Sequence, residues 1–246
     1  FVALGRSQLA DPAWAKKAKE GRASDIKPCI NCLIGCIDRG MLSHTPIHCT
    51  VNPSLYRFEC KPVEKAETRK QVAVVGAGPA GCEAALTASK RGHQVTIYEK
   101  RCIGGAMIEA SKPENKANIK RLIHYYEDHI MHDPNITLVK EEVEYETLVH
   151  SGYDAVIIAV GGKTRILNVP GIEKNSVIYA SDYLNGSTAV TGNTVVVIGG
   201  GITGAETALE LNAEGKKVTI VEMTDAFLAN LVPLVRHILQ RSMKQT

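Results

Sequence analysis

Two stretches of the chain are copies of one another. Residues 72–100 read VAVVGAGPAGCEAALTASKRGHQVTIYEK, and residues 195–223 read VVVIGGGITGAETALELNAEGKKVTIVEM, a constant offset of 123 positions without a gap. Thirteen of the 29 aligned positions are identical. Each copy predicts a strand, a glycine turn, a helix and a second strand. VAVV and VVVI are short, continuous, β-branched runs, as in buried parallel strands. The helices are rich in Ala and Leu, and Gly92 and Gly215 are placed to cap them. The implied fold class is α/β, with Rossmann-like modules in series.

The glycines carry the chemistry. Gly76, Gly78 and Gly81 in the first copy, and Gly199, Gly201 and Gly204 in the second, come directly after their strands. The first glycine allows a tight turn, the second lets backbone approach a pyrophosphate, and the third lets helix pack on strand. Free N–H groups at the helix N-terminus, with Pro79 and Ala80 in the first copy, suit phosphates. Glu99 and Glu222 each close the second strand, 23 residues after the first glycine, where a carboxylate can accept from ribose hydroxyls. A packing-only glycine turn would not repeat with the acid in register. Glu222, followed by Met223 and Thr224 rather than Arg, favours NADH over NADPH.

Further pieces of a nucleotide domain lie between the copies. Lys100, Gly104 and Gly105 come just after Glu99. Residues 114–131 have helical spacing, with Ile119, Leu122, Ile123 and Tyr126 on one face. NITLVK predicts a strand. YDAVIIAVGG, residues 153–162, predicts a buried strand that ends near Ala159 and Gly161, and VPGI a connector. Two such modules suggest FAD in the first and a nicotinamide cofactor in the second, with hydride passing between them.

Upstream, PCINCLIGC places Cys29, Cys32 and Cys36 within eight positions, and Cys49 completes a C-x2-C-x3-C-x12-C set. Such spacing suits tetrahedral zinc or an iron–sulfur cluster. A flavin that receives two electrons as hydride often has a one-electron relay next to it, which favours the cluster. Seven cysteines without an export signal suggest a reducing, cytoplasmic compartment. Cys82 reads as a small packed residue, and Cys60 and Cys102 have no partner. The net charge of +3 is small and its basic residues scattered, so neither nucleic acid nor a membrane surface is expected as partner. Small-molecule cofactors and a substrate are, and a homo-oligomer is open. No apolar run approaches the ~18 residues of a membrane span.

The order FVALGRSQLADPAWAKKAKEGRASDIKPCINCLIGC, then CTVNP, then VAVVGAGPAG resembles the back half of the 2,4-dienoyl-CoA reductase and enoate reductase group. These are iron–sulfur flavoproteins of the old yellow enzyme family, and the resemblance covers essentially the whole chain. It implies the tail of an FMN-bearing TIM barrel, with Gly5 and Arg6 matching a pair at the FMN phosphate. It implies a [4Fe–4S] cluster on Cys29, Cys32, Cys36 and Cys49. An FAD domain with an inserted, here incomplete, NAD(P)H domain would come next. The expected segments are 1–66 for barrel end and cluster, 70–190 for FAD, and 191–246 for NAD(P)H. Electrons would run from nicotinamide through FAD, cluster and FMN to an activated C=C bond. The barrel and the returning C-terminal Gly-Asp segment are not in the sequence, so the chain reads as part of a longer protein, without FMN of its own.

Two rivals share features. An amine dehydrogenase of the trimethylamine type has this order of parts but little use for an NADH site. A small FAD and iron–sulfur electron-transfer subunit, docking on a partner enzyme, has no use for barrel residues. A disulfide reductase is a poorer reading, because no C-x-x-C or C-x4-C comes after either fingerprint.

Overall fold

A computed structural model describes residues 1–55, 63–229 and 231–244. Cys60 lies outside the described residues. The chain divides into two compact units. The first comprises residues 1–31, 48–111 and 116–163; the second comprises 32–47, 112–115 and 164–246.

The first unit opens with α1 (Arg6–Ala10) and α2 (Trp14–Lys19). Buried Asp11, between them, ties α2 to the backbone at Lys27. Its Oδ2 accepts from Lys17 Nζ at 2.6 Å and from the Lys27 N–H at 3.0 Å, and its Oδ1 accepts from the Ala13 N–H at 3.0 Å. Burial opposes the charge, but these donors hold the carboxyl below its ordinary value of 3.8.

β1 (Gln71–Val75), α3 (Pro79–Lys90) and β2 (Gln94–Tyr98) form the first copy. α4 (Met107–Ala110), α5 (Ala117–Met131), β3 (Ile136–Val139), α6 (Tyr145–His150) and β4 (Ala155–Ile158) complete the unit. The strands are all parallel, in the order β3-β2-β1-β4. Val72, Val74, Val95 and Ile97 form one core with Cys82, Ala85 and Ala88 of α3 and Leu122, Ile123, Tyr126 and Ile130 of α5. Burial of each large aliphatic side chain here contributes about 1.5–3 kcal/mol. The expected α5 face is thus the face that packs. α3 ends as expected: Gly92, at φ +95°, donates to Ser89 O, and the His93 N–H to Ala88 O.

In the second unit, Ile34–Leu42 is a π-helix. α7 (Ala180–Leu184), β5 (Thr194–Ile198), α8 (Ile202–Ala213), β6 (Lys217–Val221) and α9 (Pro233–Lys244) come after it. β5 and β6 pair in parallel, Val195 opposite Val218. Val195, Val197 and Val218 pack with Leu211, Tyr183 and Leu184, while Ala205, Leu228 and Leu239 form a separate cluster.

Two strand expectations need correction. β4 is not buried: Val156 and Ile158 are 40% and 64% exposed. It is an edge strand with one neighbour, and only Ile157 joins the core. β5 likewise buries one face, with Val196 and Ile198 open on the other. β1 alone matches the fully buried pattern, because two strands flank it and α3 covers it.

Candidate nucleotide and cysteine sites

The glycine loops repeat in detail. The Gly76 N–H donates to Tyr98 O, and the Gly199 N–H to Val221 O, each at 2.8 Å. A Cβ on Gly81 would collide with Gly76 O, and one on Gly204 with Gly199 O. Gly76 itself sits at φ +99°, and a Cβ there would lie 2.5 Å from Ala159 O. Ala159, read from sequence as part of the site, is therefore a wall of the first loop. Gly161 lies beyond it, exposed, with open space around its Cα.

The carboxylates also repeat. Glu99 Oε2 accepts from the Ala77 N–H at 2.7 Å, and Glu222 Oε2 from the Gly200 N–H at 2.7 Å. Each second oxygen accepts from two residues on: Glu99 Oε1 from the Arg101 N–H, Glu222 Oε1 from the Thr224 N–H and its hydroxyl. An ionised carboxylate offers about four acceptor positions, so both keep capacity for ribose hydroxyls. The donors from Gly200 and Thr224 hold Glu222 below its ordinary value of 4.5. These cradles fit a dinucleotide: a glycine loop, a helix of twelve residues opening at Pro79 or Ile202, and a carboxylate beside it.

The loops differ in what lies over them. Gly104 donates to Ala77 O at 2.9 Å, and a Cβ on Gly105 would lie 2.9 Å from Gly78 Cα. That explains the glycine pair: it crosses the first loop at backbone contact. A Cβ on Gly201 would meet nothing within 4 Å. Lys100 points elsewhere, to Glu142 at 2.6 Å in an exposed ion pair. Gly5 and Arg6 are exposed at the start of α1.

Cys29 and Cys49 pack against the first unit's core, while Cys32 and Cys36 belong to the second unit. All four are half-buried. The Asn31 N–H points at Cys29 Sγ at 3.4 Å. Asn31 and Leu33 adopt left-handed φ of +56° and +60°, and Cys36 rides the π-helix. Such departures from regular backbone cluster at ligand sites. Among the described residues no three His, Cys, Asp or Glu gather as a metal set. The donor type fits an iron–sulfur cluster or zinc. Cys82 is fully buried, its thiol donating to Ala77 O at 3.2 Å, and burial pushes it up to about 12. It is the packed residue expected. Cys102 is exposed.

A profile of pyridine nucleotide-disulphide oxidoreductases matches residues 70–246, both glycine loops included. The chain belongs to this family. Within the family it is similar to an NADH oxidase of Thermoanaerobacter brockii, 41% identical over 96% of this chain and 37% of that protein. It is 36% identical to a cinnamate reductase of Clostridium sporogenes, over 93% of this chain and 34% of that one. A solved 2-naphthoyl-CoA reductase, in complex with 2-naphthoyl-CoA, aligns at a TM-score of 0.91 with 32% identity, over 98% of this chain and 36% of the other. The likeness bears out the resemblance to the dienoyl-CoA and enoate reductase group. The chain spans little over a third of the length of these relatives. The family name covers the paired modules; the cysteine pair of a disulfide reductase is found after neither loop here.

Sequence reasoning missed Lys27 and Glu83, which tie the cysteine segment to α3, and Phe227, Leu228 and Arg236 beside the second loop. Neither carries a motif.

Proposed function

We propose that this chain is the electron-input part of an NADH-dependent iron–sulfur flavoprotein whose whole protein reduces an activated C=C bond, as in an enoate or a dienoyl-CoA. The observation that carries this is the repeated loop, each copy closed by its own carboxylate in the same register. One loop serves FAD, the other NADH.

Gly76, Gly78, Pro79, Ala80 and Gly81 would take the FAD pyrophosphate and Glu99 its ribose; Gly199, Gly201, Gly204 and Glu222 would do the same for NADH. Cys29, Cys32, Cys36 and Cys49 are the proposed cluster ligands. When bound, FAD supplies hydride acceptance and single-electron release, which suits a four-thiolate cluster as next carrier. Buried Glu99 accepts from two N–H donors beside the loop. Glu222 would face the 2′-phosphate of NADPH as a like charge, which disfavours that cofactor by about tenfold or more. FMN belongs to the longer protein.

The test is anaerobic titration of the full-length protein with NADH. Flavin bleaching by NADH, reversed by an enoate or dienoyl thioester, is expected. Bleaching by an amine and not by NADH would move the assignment to an amine dehydrogenase.

A further inference from the structure

The second glycine loop is held from outside by a chain of contacts that starts on α9. Arg236 Nε donates to Leu228 O at 3.1 Å, and its Nη2 to Ala229 O at 2.6 Å and Leu231 O at 3.4 Å. One guanidinium thus gathers three carbonyls of a single turn. Leu228, in that turn, is 1% exposed and has a left-handed φ of +59°. A bulky side chain seldom adopts that conformation, and it persists only where its surroundings over-determine it. The Leu228 N–H then donates to Gly200 O at 3.1 Å. The neighbouring Phe227 ring lies so close that a Cβ on Gly200 would come within 2.5 Å of it. Gly200, gripped on that side, donates its own N–H to Glu222 Oε2.

The first loop reaches the same end by another route. There the backbone donor to the equivalent carbonyl, Ala77 O, is Gly104, for which positive φ is unstrained. The second loop uses a leucine because its side chain also belongs to the cluster with Ala205 and Leu239. The three bonds from Arg236 hold the strained turn.

We propose that Arg236 is a positioning residue for nucleotide discrimination: through Leu228 and Gly200 it fixes where the Glu222 carboxylate stands. This rests on the reading of Glu222 as the group that meets the adenosine ribose. With Nε and Nη2 committed to three carbonyls, the guanidinium has no complete fork left for a 2′-phosphate, so the same contacts that aim Glu222 weaken a cation that would favour NADPH.

The experiment is a double-mutant cycle in the full-length protein: kcat/KM for NADH and NADPH in wild type, Arg236→Gln, Glu222→Gln and the double variant, with FAD content as control. Arg236→Gln should move the NADH-to-NADPH ratio toward unity by about fivefold, the worth of one hydrogen bond. It should leave FAD content unchanged and add nothing to the ratio once Glu222→Gln is present. Arg236→Lys, which keeps one donor, should fall between, and it carries the comparison if the glutamine variant does not fold. Equal losses for both cofactors, or full additivity with Glu222→Gln, would overturn the proposal and leave Arg236 a structural residue. A ratio unmoved by Glu222→Gln itself would overturn the ribose reading and this inference with it. A ratio moved by Glu222→Gln but not by Arg236→Gln would overturn this inference alone.

Discussion

Lys27 Nζ donates to Glu83 Oε2 at 2.8 Å, joining the segment just before Cys29 to the helix that opens at the first glycine loop. The Tyr126 hydroxyl donates to the same oxygen at 3.0 Å, and the Lys27 ammonium lies 5.4 Å from the Tyr125 ring. The pair is largely shielded, with side chains 13% and 30% exposed. Lys27→Met should destabilise the protein by about 1–3 kcal/mol, because the shielded Glu83 carboxyl group then has the Tyr126 hydroxyl but no cation beside it. Chemical denaturation measures this. Hydrogen exchange at residues 27–30 should rise in the same variant, and an unchanged pattern would show that the pair does not anchor the cysteine segment.

The ligand assignment separates the cysteines sharply. Anaerobically purified full-length protein should hold about four irons and four sulfides on this set. Cys32→Ser should lose most of both, whereas Cys60→Ser and Cys102→Ser should lose neither. Zinc instead of iron in such a preparation would refute the cluster.

Gly81→Ala and Gly204→Ala should act on different cofactors. Each new methyl meets a carbonyl oxygen of its own loop, so each loop must distort. The cost is about 1–3 kcal/mol in stability. Gly81→Ala should lower FAD content, while Gly204→Ala should keep FAD and raise the KM for NADH. Loss of FAD from Gly204→Ala would mean that the modules are assigned in the wrong order.

Glu222 sets a pH expectation. Its folded value is depressed, so its acceptor character is complete above the ordinary 4.5 and is lost only as pH falls through the lower folded value. NADH affinity should therefore be flat between about pH 5 and 8 as far as this group is concerned. Asp11 has the same sign: its contribution to stability is present above 3.8 and lost in stronger acid. Asp11→Asn should therefore lose stability at neutral pH and little in strong acid; equal losses at both, read by chemical denaturation, would contradict this.

Cys82 should be chemically silent. With its thiol pushed up to about 12 and no exposed surface, thiolate is scarce at neutral pH. Iodoacetamide should modify exposed Cys102 at least about tenfold faster than Cys82 in the native protein, read by peptide mass spectrometry.

The duplicated loops, the cap at Gly92 and the packing face of α5 were legible in the sequence, because each depends on local spacing. The exposure of Ile158 and Ile198 was not. β-branched runs announce a strand, but the cover over its face depends on distant chain. Lys27 and Glu83 stand 56 positions apart and share no pattern. Leu228 defeats sequence reading for a further reason: its backbone conformation is the one that sequence would assign to glycine, and only burial and Arg236 make it tenable.

Glu99 and Glu222 brace their loops through the protein's own N–H groups, Ala77 and Arg101 in one copy, Gly200 and Thr224 in the other. A loop braced in this way has less conformational ordering to undergo on binding than a flexible one. For the proposed NADH site, this would shift selection from the speed of capture to the length of stay. Cofactors that suit the carboxylate should dwell, and those that do not should leave as quickly as they came.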